Sequence, residues 1–83
     1  MMFERLQKCI KDVIEGYSDE IKMSDRFQED LDMDSVKLVM LQIAIEDEFQ
    51  IMFEPLKDNF IEIFSTVETL NKFIEERCNE RQL

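Results

Sequence analysis

The segment that most constrains this chain is Asp30–Phe49, DLDMDSVKLVMLQIAIEDEF. A loop of alternating acids gives way at Ser35 to a run that reads as one helix, from about Ser35 to Gln50. At ~100° per residue its apolar side chains fall into two stripes on opposite sides. Leu38, Leu41, Ile45 and Phe49 form one, and Val36, Val39, Met40 and Ile43 form the other. A chain of 83 residues buries only ~60–65% of its unfolded surface. Such a chain can hardly cover both stripes. One is expected in the core, and the other toward a partner or a cargo.

The rest of the chain supplies helices for that one to pack on. Phe3, Leu6, Ile10, Val13 and Ile14 recur at helical spacing and predict a first helix over residues 2–15. Gly16, the only glycine, stands where a left-handed C-terminal cap belongs. Tyr17–Asp34 is long for a connection. Ile21, Met23, Phe27 and Leu31 are expected to pin it across the core, with a short turn near Ser24–Gln28. Asp34 is placed to cap the second helix.

Pro55 ends the next pattern, which makes Ile51–Phe53 a connection. Leu56, Phe60, Ile61 and Phe64 predict a short, irregular third helix. Ser65 and Glu68 read as a capping box opening the last helix. Val67, Leu70, Phe73 and Ile74 give that helix its inner face, to about Arg77, and the tail NERQL should fray. The expectation is one all-α domain over residues 1–83: three long helices and a short one before the last.

Charge narrows the partners. Twenty acids against ten bases leave a net charge of −10. Such a field repels nucleic acid and anionic membranes and attracts basic protein surfaces. It also keeps a small monomer soluble, which is explanation enough without a partner. Cys9 and Cys78 are too few for a disulfide framework and read as reduced, helix-packed thiols, pointing to the cytoplasm. No apolar run approaches the ~18–20 residues that span a bilayer, so no membrane insertion is expected. The start, MMFERLQKCIKDVIEG, lacks the continuous apolar core of a secretory signal.

Two chemistries are weighed at the acid-to-helix junction. Asp30, Asp32 and Asp34 alternate like the opening of a calcium loop, but Ser35 and Leu41 stand where that loop needs its glycine and its bidentate glutamate. No metal is expected there. Ser35 as a nucleophile would need a base, and the chain has no histidine. No Gly-x-Ser-x-Gly elbow surrounds it, so no catalytic residue is assigned. From local chemistry alone Ser35 reads as a first-turn residue beside its cap, or as a serine displayed for modification.

A resemblance adds to that reading. LDMDSVKLVMLQIAIEDEF resembles the attachment motif of the acyl carrier proteins, D-L-G-x-D-S-L followed by a helix ending E-x-E-F. Asp34 and Ser35 match its aspartate-serine, Val36 its leucine, and Val39 its valine. Glu46, Glu48 and Phe49 match the helix end. TVETLNKFIEE is similar to the start of that family's last helix, and Phe27 and Leu31 match its loop anchors. The resemblance implies a four-helix carrier that is not an enzyme. It further implies that a phosphopantetheinyl transferase joins 4′-phosphopantetheine, taken from coenzyme A with Mg²⁺, to Ser35. The arm's thiol would then carry acyl or aminoacyl groups as thioesters. Loading enzymes and downstream acyltransferases or synthases would read Val36, Lys37, Val39, Met40, Ile43, Glu46, Asp47 and Glu48.

The departures also inform. Asp32 stands for a glycine, which should leave the loop less free to take a positive φ there. Lys37 and Met40 stand where carriers of fatty-acid synthesis have acids. Phe49, Ile51 and Phe53, followed by Phe60 and Phe64, look more like stand-alone carriers with dedicated adenylating enzymes. Lipid or secondary-metabolite biosynthesis are both open. The alternatives are an aminoacyl or peptidyl carrier, such as a D-alanyl carrier, and a helical interaction module with no prosthetic group.

Overall fold

The computed structural model describes residues 2–17 and 19–81. Four helices follow in order: α1 (Met2–Val13), α2 (Ser35–Phe49), α3 (Phe60–Ile63) and α4 (Val67–Arg81). No strand occurs among the described residues, so the all-α, three-long-one-short architecture stands.

The core forms where three amphipathic faces meet. Leu6, Ile10 and Val13 of α1 pack with Leu41, Ile45 and Phe49 of α2 and with Val67, Leu70 and Ile74 of α4, all buried. α1 runs antiparallel to α2: Arg5 reaches Glu48 at one end, and Val13 approaches Met40 at the other. α1 stops two residues short of the predicted end. Gly16 then takes φ +81, a conformation only glycine adopts without strain.

The long segment after α1 is ordered because α4 needs it. The first amides of a helix have no partner within it. Here Asp25 O accepts from Val67 N at 2.9 Å, and Met23 O accepts from Glu68 N at 3.0 Å. Ser65 O accepts from Phe27 N in turn. Phe27, Ile21, Leu31 and Met33 are buried beneath this seam. Met23 is not the anchor it was expected to be: its carbonyl serves α4 while its side chain is 36% exposed, and Met33 fills the core instead. Turns lie on both sides of Arg26, as expected near Ser24–Gln28: Lys22 O accepts from Asp25 N, and Arg26 O accepts from Asp30 N and Leu31 N.

The cap of α4 also differs from expectation. Thr66 and Thr69 form the reciprocal pair: Thr66 Oγ1 accepts from Thr69 N, and Thr69 Oγ1 accepts from Thr66 N, each at 3.1 Å. Ser65 is taken up by the seam and Glu68 stays exposed, so the box lies one residue later. α4 also continues to Arg81 rather than fraying after Arg77. Arg77 fastens this end by donating to Met52 O at 2.7 Å and to Asp58 Oδ1 at 2.8 Å. Gln82 and Leu83 of the predicted tail lie outside the described residues.

Aromatic rings fill the space under the α2–α4 connection. Phe53 stacks on Phe73 at 5.0 Å and meets Phe60 and Phe64 at 5.7 and 5.5 Å. α3 is one short turn held by those rings. Ile61 within it and Leu56 before it, both expected to pack, are 89% and 102% exposed.

Neither cysteine is in a disulfide. Burial, with Glu48 and Asp12 nearby, pushes the Cys9 thiol up to about 11 from 9.0. At pH 8 that shift leaves roughly a hundredfold fewer thiolates. A maleimide should therefore label half-buried Cys78 first, with Cys9 following only on unfolding. Mass spectrometry of a labelling time course checks this; equal rates would mean that Cys9 is not packed as described.

Candidate functional site

Ser35 is the first residue of α2 and is exposed. Asp34 precedes it in extended conformation (φ −85, ψ 179), and its Oδ1 accepts from Lys37 N at 2.9 Å. The cap is thus made by the aspartate. Among the described residues no group hydrogen-bonds the Ser35 hydroxyl, which is left displayed at the positive end of the helix dipole.

The loop reaches this point through a tight fold-back. Asp30 Oδ2 accepts from both Arg26 N and Arg26 Nε, at 2.8 and 3.1 Å, and Glu29 accepts from the same guanidinium. The Arg26 hydrogen bonds hold the Asp30 carboxyl below the usual carboxylate range. Asp32 sits at φ 51. The expected restriction is not seen, because aspartate enters the left-handed region more readily than most side chains. The fold-back buries Leu31 and Met33 and brings Asp34 and Ser35 to the surface.

Beyond Ser35, α2 shows both stripes. Leu41 and Ile45 are fully buried, and Phe49 is 5% exposed. Val36, Val39, Met40 and Ile43 are 65%, 55%, 49% and 60% exposed. Leu38 is only half-buried: it borders a hollow of about 270 Å³ with Val39, Gln42, Gln28, Phe60, Ile61 and Phe64. Sequence reading did not find this hollow, since it is assembled from three separate segments.

The acids at the end of α2 divide by partner. Glu46 is half-buried and accepts from Phe53 N at 3.0 Å, which fixes the connection. Glu48 is gripped by Arg5 through a 2.8 Å ion pair, while Arg5 also donates to the Glu48 carbonyl and lies over the Phe49 ring. The Asp47 carboxylate has no cation partner among the described residues. Lys37 is half-buried beside the cap.

Residues 4–74 match the family described as "Phosphopantetheine attachment site". The chain is 35% identical over 78 residues to a protein of Petrotoga mobilis named "Acyl carrier protein", covering 94% of this chain and 88% of that one. It is 35% identical over 79 residues to an "Acyl carrier protein" of Clostridium perfringens, covering 95% of this chain and all of the relative. A Sulfurovum relative of the same name is 32% identical over 74 residues, covering 89% and 95%.

Proposed function

Because this chain belongs to the acyl carrier protein family, whose members are carriers and bear covalently attached 4′-phosphopantetheine, we propose that Ser35 is its attachment residue. On this reading residues 1–83 are one carrier domain that presents acyl or aminoacyl groups to partner enzymes. The arm, once attached, supplies the thiol on which cargo is held as a thioester.

The observation that carries the reading is the division of labour at the start of α2. Asp34 alone caps the helix, so the Ser35 hydroxyl is free to be esterified without uncapping it. The residues fit the group: the hydroxyl is exposed, and a phosphodiester there lies at the favourable end of the helix dipole. The hollow bordered by Leu38, Phe60 and Phe64 supplies apolar surface about one turn beyond Ser35, which suits an acyl cargo.

The exposed side of α2 supports a partner-reading role, first for the phosphopantetheinyl transferase and then for loading enzymes, acyltransferases or synthases. Lys37 and Met40, standing where acids are expected, support a dedicated loading enzyme over the enzymes of fatty-acid synthesis. No described helix is long and apolar enough to cross a membrane. Free cysteines support work in the cytoplasm. The net charge of −10 supports a monomer that keeps away from its own copies and from nucleic acid.

The test is direct. The chain is incubated with coenzyme A, Mg²⁺ and a broad-specificity transferase, then weighed intact and mapped by peptide. One phosphopantetheine on the peptide holding Ser35 is expected. Addition elsewhere would move the site, and none at all would favour the interaction module.

A further inference from the structure

The short helix α3 does not hold itself in place. It has four residues, far short of the ~12–15 that keep an isolated helix formed. None of its side chains is buried, and it packs on α4. Thr69 Oγ1, 2.9 Å from Ile63 O, ties its C-terminal end to α4. Its other end begins at Asn59, whose side chain caps it by accepting from Glu62 N at 3.2 Å. Asp58 stands just before that cap.

Arg77, in the last turns of α4, reaches across to this second end. Its guanidinium donates to Met52 O at 2.7 Å and to Asp58 Oδ1 at 2.8 Å. It also lies over the Phe73 ring at 4.7 Å, and Phe73 stacks on Phe53. Asp58 Oδ2 accepts from Glu54 N at 2.7 Å, which closes the turn ahead of α3. The ion pair is sheltered, with side chains 18% and 9% exposed. Only a planar fork lets one side chain hold a carbonyl and a carboxylate at once.

The hollow of about 270 Å³ has α2 on one side, through Leu38, Val39 and Gln42, and α3 on the other, through Phe60, Ile61 and Phe64. Its width is the distance at which α3 is held. Arg77 does not line it. We infer that Arg77 is a positioning residue for cargo: through Met52 O and Asp58 it holds α3 at the distance from α2 at which a short acyl chain fits the hollow. This rests on the carrier reading. With the Arg77 latch gone, α3 stays tied at Thr69 and swings from there, and the hollow loses that wall.

The experiment loads the full chain from acetyl- or hexanoyl-coenzyme A with Mg²⁺ and a broad-specificity transferase. Intact mass confirms each product, and circular dichroism melts it. Both products carry the same thioester, so the difference between their melting temperatures reads the apolar contact of the cargo. In the unaltered chain the hexanoyl form should melt about 4 °C or more above the acetyl form. Arg77→Met keeps an apolar stem without the fork and should lose at least half of that difference. Asp58→Asn should do the same, whereas Lys57→Met, exposed on the same connection, should keep it. A latch that only stabilised the fold would lower both melting temperatures alike and leave their difference intact. That result in folded Arg77→Met, or in Asp58→Asn where Arg77→Met does not fold, overturns the inference. If the unaltered chain loads but its two forms melt together, the inference fails while the carrier reading stands. If it takes no phosphopantetheine at all, the carrier reading fails and this inference with it.

Discussion

Replacing Ser35 with alanine is expected to abolish phosphopantetheine uptake entirely while leaving the fold in place. The hydroxyl is the only group the substitution removes, and no hydrogen bond to it is seen among the described residues. The helix is capped by Asp34, whose Oδ1 accepts from Lys37 N. Alanine at the first helical position is at least as good a helix former as serine. Its stability should therefore stay within about 0.5 kcal/mol of the parent. Asp34→Ala is the informative contrast. Losing an N-cap costs about 0.5–2 kcal/mol, so this variant should melt earlier even where Ser35 still accepts the arm. Loading by intact mass and unfolding by urea, run on both variants, separate the two roles. If Ser35→Ala still gains the arm, the attachment assignment is wrong. If it unfolds as readily as Asp34→Ala, the cap has been misassigned.

The same separation shows what a linear reading of this chain reaches and what it misses. Helical spacing was enough to place α1, α2 and α4, because each core face repeats within a few residues. The Asp34 cap was legible for the same reason: a capping carboxylate acts over three residues. What failed depends on partners distant in sequence. Thr66 rather than Ser65 caps α4 because the helix opens at Val67, whose amide is taken by Asp25 O, 42 positions earlier, and Thr66 is the residue before it. Met23 serves α4 through its carbonyl, which accepts from Glu68 N 45 positions later, rather than through its side chain. Arg5 on Glu48 and Arg77 on Met52 O span 43 and 25 positions, with no local signal to announce them. The acids at the end of α2 looked alike in sequence, and only the fold shows that two have structural partners. Asp32 was misread for a different reason. The left-handed region favours glycine without excluding aspartate, so a residue type alone did not decide the loop.

Leu41→Ala and Met40→Glu, neighbours on α2, should have opposite consequences. Leu41 is fully buried in the core. Truncating it removes buried methyl groups and leaves a cavity that a close-packed core closes only in part, costing about 2–4 kcal/mol. In a chain this small each kcal/mol moves the melting temperature by about 4–8 °C, so a drop of at least about 8 °C is expected. Met40 is 49% exposed, on the opposite side of the helix. A glutamate there keeps its charge in water and leaves the core untouched, so its effect on stability should stay within about 0.5 kcal/mol. Its effect should fall on partner choice. The new acid stands where the carriers of fatty-acid synthesis are expected to have one, next to Ala44 and the hollow against α1. Docking to basic synthase enzymes should strengthen, and docking to the chain's own loading enzyme should weaken, each through association rate and salt dependence. Melting curves and loading rates on both variants, at low and high salt, decide the matter. If Met40→Glu unfolds the chain while Leu41→Ala is silent, the two faces of α2 are reversed. If Met40→Glu leaves every loading rate unchanged, the exposed stripe is not where partners read this carrier.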